Sequence, residues 1–102
     1  EGLLRLHACG ICGTDLHVHE GNFGPRLPLT PGHEFSGEIV ELGSEVTGLK
    51  KGQRATASTT IPCGKCFYCQ RGDYLLCENL GGIGVEINGA CAEYIKLPSD
   101  RV

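Results

Sequence analysis

The sequence predicts a small, mainly β domain whose loops carry metal ligands. Short segments of alternating apolar and polar residues are separated by turn residues, which is typical of a small β-barrel or an irregular sheet. Glycine accounts for 16 of the 102 residues, about double its usual share, so much of the chain must run through turns. Seven cysteines are present, and four of them fall within fifteen residues, a density that indicates metal binding.

Four segments are predicted strands. Residues 3–8 alternate apolar and polar side chains, which is the pattern of a half-buried strand. Residues 35–42 place apolar residues among polar ones and end at a Gly-Ser pair. Residues 53–58 and residues 92–97 are further strand candidates, separated by the cysteine-rich segment and by a glycine-rich stretch.

A loop is predicted between the first two strands. Residues 10–24 contain Gly, Asp, Asn, His and Cys without a sustained apolar period, so only residues 14–19 are expected to form a helical turn. Pro25, Pro28 and Pro31 follow, and their fixed φ angles predict an extended passage.

Composition and charge exclude several classes of function. The net charge is −3 and the basic residues are scattered, so nucleic acid is not an expected partner. No apolar run approaches the roughly 20 residues that cross a bilayer, and no signal peptide is recognisable, so we expect no membrane association and a cytoplasmic location.

An odd number of cysteines in a reducing compartment favours metal binding over disulfides. The chain starts without Met, as a piece of a longer protein would.

The dense cluster consists of Cys63, Cys66, Cys69 and Cys77. Its spacing, C-x2-C-x2-C-x7-C, offers four thiolates that can close a tetrahedral shell around zinc, and such a closed site is structural. An iron–sulfur cluster is the alternative metal, although its usual fourth spacing is x3 followed by Pro. Unmetallated buried thiols are the remaining alternative.

A second candidate set is formed by Cys12, His33 and Glu34. Three protein ligands of mixed type are typical of catalytic zinc, because the fourth position stays open for water or substrate. Each residue alone is a weak signal. Cys9 and Cys12 also spell C-x-x-C, a pattern of redox pairs and zinc knuckles, but no βαβ pattern surrounds them. Cys9 and Cys91 are therefore predicted to be buried packing residues.

Three motifs together resemble a known family. They are the run CGTDLH from Cys12 to His17, the run GHEFSG from Gly32 to Gly37, and the cysteine quartet. This combination is similar to the N-terminal GroES-like catalytic domain of zinc-dependent medium-chain alcohol and polyol dehydrogenases. The resemblance implies a partly open GroES-like β-barrel with short helical turns and a zinc-stapled loop over residues 1–102. It also implies that this domain is truncated and that the nucleotide-binding Rossmann domain is absent.

The resemblance assigns roles around the mixed set. It implies one catalytic zinc held by Cys12 and His33, with Glu34 as a direct ligand or a neighbour that exchanges with water, besides one structural zinc in the cysteine quartet. Asp15 matches the family position that hydrogen-bonds the ligating histidine, which fixes the tautomer and raises its basicity.

The resemblance also implies a reaction. Thr14 would touch the substrate oxygen and His17 would pass its proton toward solvent. Zinc lowers the pKa of a bound oxygen to about 7, so a zinc-bound alkoxide could give its hydride to NAD or NADP, which the absent domain would hold. The expected substrate is a small alcohol or polyol, the full-length enzyme is expected to be a homo-oligomer, and residues 1–102 alone are expected to be inactive. The alternative is a non-catalytic, zinc-stabilised interaction module with the structural zinc only.

Overall fold

The structure is a computed structural model, and it describes residues 1–21, 24 and 27–102. The helices and strands, in chain order, are β1 (Gly2–Gly10), α1 (Gly13–His19), β2 (Glu34–Leu42), β3 (Arg54–Ala55), β4 (Thr60–Ile61), α2 (Phe67–Gln70), β5 (Gly81–Gly82) and β6 (Tyr94–Leu97). Short 3-10 helices span Tyr74–Leu76 and Ser99–Arg101. The predicted class, mainly β with short helical turns, is confirmed. No helix in the described part of the chain is long and apolar enough to span a bilayer.

Two antiparallel sheets make up the fold of the residues that the structure describes. The larger sheet has the order β3-β2-β1-β6, and the smaller one pairs β4 with β5. β1 and β2 form the longest ladder, with Leu4 opposite Ile39 and Gly10 opposite Glu34. Among the described residues the two sheets do not close on one another, so the architecture is the open form of the expected barrel.

The core lies against the β1–β2–β6 face of the larger sheet. Its largest fully buried side chains are those of Leu4, Ile39, Ile83 and Leu97. Three come from the sheet and Ile83 comes from the segment just after β5, so the core fastens the smaller sheet to the larger one. Burying an aliphatic side chain of this size contributes about 1.5–3 kcal/mol.

The two long predicted strands are confirmed, and the two shorter ones are only partly correct. β1 and β2 contain residues 3–8 and 35–42 as predicted. Within residues 53–58 only Arg54–Ala55 forms a strand, because this edge segment pairs with β2 at two positions only. Within residues 92–97 the strand begins at Tyr94, where pairing with β1 begins.

The predicted helical turn at residues 14–19 is confirmed as α1. Of the three prolines, Pro28 lies in a bend, so the predicted extended passage is interrupted there, and Pro31 lies outside helices, strands and turns. Pro25 lies outside the described residues.

The segment that leads into β2 is held by close backbone contacts with residues 89–91. The N–H of Gly89 donates to the Thr30 carbonyl at 2.6 Å, and the N–H of Ala90 donates to the Gly32 carbonyl at 3.0 Å. A Cβ atom on Gly89 would overlap the backbone carbonyls of Pro31 and Gly32. Part of the glycine excess therefore serves to bring these two backbone segments together just before His33.

Candidate metal centres

The four cysteines of the dense cluster converge in one lobe between β4 and β5. The sulfur atoms of Cys63, Cys66, Cys69 and Cys77 all lie within 4.8 Å of one another. In a tetrahedral zinc site with Zn–S distances of about 2.3 Å, neighbouring sulfurs are separated by roughly 3.8 Å, so the set has the right size. Cys69 and Cys77 are buried. The structure therefore provides a cluster that could hold a structural zinc.

Backbone amides surround these sulfurs. The Cys66 N–H donates to Cys63 Sγ at 3.4 Å, and the Cys69 N–H donates to Cys66 Sγ at 3.5 Å. The Cys63 N–H donates to Cys77 Sγ at 3.2 Å, which links the two ends of the lobe. Hydrogen bonds from N–H groups stabilise thiolates over thiols. The lobe therefore positions three of its four sulfurs, those of Cys63, Cys66 and Cys77, through its own backbone.

Backbone amides and burial shift the pKa values of these thiols in opposite directions. Hydrogen bonds from the N–H groups of Cys69 and Glu78 lower the pKa of Cys66 to about 6. Burial raises the pKa of Cys69 to about 12. Adjacent thiols at such different pKa values cannot all ionise near neutral pH without a compensating charge, and a divalent cation supplies that charge.

The mixed set is assembled from two separate segments. Cys12 directly precedes α1, whereas His33 directly precedes β2 and Glu34 begins it. One ligand atom from each of these three residues falls within 4.8 Å of the others. Cys12 and His33 are half-buried, and Glu34 is exposed. The structure thus brings together the three residues that the sequence singles out.

Asp15 connects both halves of the mixed set. Its Oδ2 accepts the Cys12 N–H at 2.9 Å, which fixes the first turn of α1. Its Oδ1 is buried, has no hydrogen-bond partner among the described residues, and lies 3.6 Å from His33 Nδ1. A protonated Nδ1 facing this carboxylate leaves Nε2 of His33 as the acceptor nitrogen.

Thr14 and His17 lie on α1 beside this set. Thr14 Oγ1 is 3.6 Å from Cys12 Sγ. His17 is exposed and lies three residues further along α1, so it occupies the same helix face as Thr14.

An open cavity of about 230 Å³ adjoins the mixed set. Its lining includes Thr14, His33, Thr59, Thr60 and Ile83. Sequence reasoning missed Thr59 and Thr60, because nothing in their local sequence distinguishes a cavity-lining threonine from a strand residue. The pairing of β4 with β5 places Thr60 opposite Gly82, which lines the same cavity.

The prediction for Cys9 and Cys91 is wrong in part. Cys9 is half-buried and packs against the core, but Cys91 is exposed. The backbone pairing of residues 89–91 with residues 30–32 turns Cys91 to the surface next to Cys9. Burial, followed by its contact with Cys91, raises the pKa of Cys9 to about 11.

Comparison with known families explains this arrangement. The family model of the alcohol dehydrogenase GroES-like domain matches residues 1–102, the whole chain. D-arabinitol dehydrogenase 1 from Uromyces fabae is 47% identical over the full chain, and the match covers 29% of that protein. Sorbitol dehydrogenase from Halalkalibacterium halodurans is 48% identical over 90% of this chain and 27% of its own length.

A solved structure shows the same fold. A protein from Sinorhizobium meliloti 1021, assigned as a zinc-binding dehydrogenase and solved bound to NADP, superimposes with a TM-score of 0.91 and 45% identity. The match covers 98% of this chain and 29% of that one. The chain thus spans less than a third of the length of the relatives it matches. On the strength of the full-length family match, the chain belongs to the alcohol dehydrogenase GroES-like domain family.

Proposed function

We propose that this chain is the zinc-binding catalytic domain of an NAD(P)-dependent alcohol or polyol dehydrogenase. The observation that carries the proposal is the convergence of Cys12, His33 and Glu34, with ligand atoms within 4.8 Å of one another. The names of the relatives support it, because D-arabinitol and sorbitol dehydrogenases align over nearly all of the chain.

The mixed set fits a catalytic zinc on its own chemistry. A thiolate, an imidazole and a carboxylate are zinc ligands, and three of them leave a coordination position open. The buried Asp15 Oδ1, which faces His33 Nδ1 at 3.6 Å, is the carboxylate that orients a ligating histidine. A zinc ion bound here would act as a Lewis acid toward a substrate hydroxyl and so make its proton easier to remove.

The proton path would run along α1. Thr14 lines the cavity, so its hydroxyl can accept a hydrogen bond from a substrate hydroxyl there and pass the proton onward. His17 lies one helical turn further and is exposed, which allows its imidazole to exchange that proton with bulk water. The nicotinamide that accepts the hydride would be bound by a Rossmann domain outside residues 1–102.

The cavity favours a hydroxylated substrate. Thr14, Thr59 and Thr60 place three hydroxyl-bearing side chains around it, and His33 lies at its wall. A polyol carries hydroxyl groups on several carbons and can hydrogen-bond such side chains through more than one of them, whereas a simple alkyl alcohol cannot. This supports a polyol over an aliphatic alcohol as the substrate class.

Metal content of the full-length protein tests the proposal. We expect about two zinc ions per chain, one of which is lost in Cys12→Ser while the fold is retained. Substitution of the mixed site with Co²⁺ adds a visible spectrum, and a polyol such as D-arabinitol is expected to shift it. A full-length protein that holds one zinc, unchanged in Cys12→Ser, would instead identify a non-catalytic module with the structural zinc only.

A further inference from the structure

Two cysteines remain outside both candidate metal centres, and they meet at the surface. Cys9 Sγ and Cys91 Sγ are 3.6 Å apart, although 82 positions separate the two residues in the sequence. Cys9 belongs to β1, and Cys91 precedes β6. Neither residue is part of the cysteine quartet or of the mixed set.

Main-chain bonds enforce this contact. The Cys91 N–H donates to the Pro31 carbonyl at 2.9 Å, and Cys9 is opposite Phe35 in the β1–β2 ladder. Both cysteines are thus anchored to the segment on either side of His33. Their meeting follows from the backbone of the fold and does not depend on a choice of side-chain rotamer alone.

Gly32 provides the space for the two sulfurs. A Cβ atom on Gly32 would lie 2.7 Å from Cys91 Sγ and 2.8 Å from Cys9 Sγ. Any larger residue at position 32 would push at least one sulfur away. The position therefore allows two thiols to share one small site.

We propose that Cys9 and Cys91 are a redox pair that forms a reversible disulfide when the protein encounters a peroxide. A disulfide has an S–S length of about 2.05 Å, so closing the pair requires the sulfurs to approach by roughly 1.5 Å, within reach of side-chain rotation. A surface cavity of about 190 Å³, lined in part by Leu6, Ala8 and Ala90, opens onto both cysteines and admits the oxidant.

The reaction order follows from exposure. Cys91 is exposed and reacts first: its thiol loses a proton, the thiolate attacks one peroxide oxygen, and the O–O bond breaks. The departing hydroxide takes up a proton, so the products are a sulfenic acid and one water. The half-buried Cys9 then attacks the sulfenic sulfur, the S–S bond forms, the S–O bond breaks, and a second water leaves. Each sulfur loses one electron and the peroxide gains two. A dithiol reverses the process by thiol–disulfide exchange.

The cross-link would join β1 to the segment that packs on Gly32. Gly32 is the residue immediately before His33. The disulfide would therefore pack against the sequence neighbour of a proposed zinc ligand. The disulfide itself uses no ligand thiol, and its formation does not depend on whether the mixed set binds zinc.

Peptide mapping of the zinc-loaded, full-length protein tests the pair. The protein is treated with hydrogen peroxide, then denatured with a chelator and a thiol alkylating reagent, and cleaved with trypsin. Trypsin places Cys9 in peptide 6–26 and Cys91 in peptide 72–96, together with Cys12 and Cys77 respectively. We expect these two peptides to be linked, with Cys12 and Cys77 alkylated, the zinc content unchanged, and the link removed by a dithiol.

Two single variants are matched controls. Cys9→Ser and Cys91→Ser each leave one partner of the pair and all proposed ligands, and the exposed position of Cys91 makes its variant the one that tolerates substitution best. Neither variant is expected to give the linked peptides. The proposal is overturned if peroxide leaves both thiols open to alkylation, if the link persists in Cys91→Ser, or if the quartet and Cys12 are oxidised before Cys9 and Cys91.

Discussion

The two candidate metal centres are built in different ways. The quartet lies within one lobe of fifteen residues, and the backbone amides of that lobe bond its sulfurs. The mixed set joins the start of α1 to the start of β2. Asp15 and the backbone hydrogen bonds of residues 89–91 hold it together. One set is defined by local sequence, and the other by the long-range packing of the sheet.

This difference has consequences for stability and function. A closed set of four thiolates leaves no coordination position for a substrate, so its metal can contribute only to folding. An open set of three ligands must keep its geometry without the fourth, and the surrounding fold has to supply that geometry. The lobe should therefore depend on its metal, whereas the mixed site should depend on the fold.

Removing one thiolate from the lobe should have the largest effect. In Cys69→Ser the buried sulfur of a four-ligand set is lost, and metal that holds a small lobe together contributes folding energy directly. We expect the loss of one zinc and a fall in melting temperature of at least about 10 °C, since about 1 kcal/mol corresponds to 4–8 °C in a domain of this size. Elemental analysis and thermal unfolding measure both.

An exposed residue of the same lobe is the control. Leu75 is 77% exposed, so Leu75→Ser should retain both zinc ions and unfold within about 0.5 kcal/mol of the parent protein. If Cys69→Ser kept its full metal content, the lobe would not be a four-thiolate site.

A substitution at Gly32 should damage the mixed site and spare the lobe. In Gly32→Ala the new Cβ would approach both Cys9 and Cys91 sulfurs within 2.8 Å, and φ at this position is +101°. Strain of this type costs about 1–3 kcal/mol, and relief requires movement of the backbone next to His33. We expect the mixed-site zinc to be lost first on titration with a chelator.

Gly48→Ala is the matched control for Gly32→Ala. Gly48 has a similar φ of +82°, but nothing lies within 4 Å of its added Cβ. Gly48→Ala therefore carries the cost of a left-handed backbone conformation without the collision, so it should lower stability by about 1–2 kcal/mol and leave chelator sensitivity unchanged. Equal chelator sensitivity in the two variants would show that the close approach at Gly32 does not matter for the metal.

The same contrast explains what the sequence could predict. The spacing of Cys63, Cys66, Cys69 and Cys77 predicts a shared site, because so few residues between ligands leave the backbone little choice. β1 and β2 could be predicted from their periodicity, since each has a buried and an exposed face. Local pattern and final structure agree wherever the determining contacts are close in sequence.

Long-range contacts account for what was missed. β4 and β5 are two residues each, too short to show a period, so the local sequence gives no signal that Thr59 and Thr60 line the cavity. The residue type predicts a buried Cys91, because free cysteines usually are buried, but backbone pairing with residues 30–32 places it at the surface. Residue types alone could make the mixed set only a weak candidate, because Cys12 and His33 lie 21 positions apart in the sequence with no spacing rule between them. The family resemblance then supplied the roles of its residues.

Neutralising Asp15 should weaken the mixed site by an intermediate amount. Asp15→Asn keeps the size of the side chain but removes the negative charge that faces His33 Nδ1. Partners of ligating histidines typically contribute 10–100-fold to metal affinity, so zinc affinity at the mixed site should fall by this factor while the lobe is unaffected. Competition with a chromophoric chelator measures it, and Asp100→Asn, whose side chain is 73% exposed, is the charge-matched control.

The smallest expected effect is a protonation step in the metal-free lobe. The lowered pKa of Cys66, about 6 against an ordinary 9.0, means that the folded lobe favours its thiolate. The stabilisation from this group is therefore fully present above about pH 9 and is lost as the pH falls through about 6. Cys69, with a pKa raised to about 12, behaves in the opposite sense, and its contribution is lost as the pH rises from about 9 to 12.

Thiolate absorbance in the ultraviolet should show one step near pH 6 that Cys66→Ser removes. A metal-free protein without that step would mean that the amides do not hold the sulfurs until the metal is bound, and the lobe would then depend on its metal even more strongly than the comparison with the mixed site suggests.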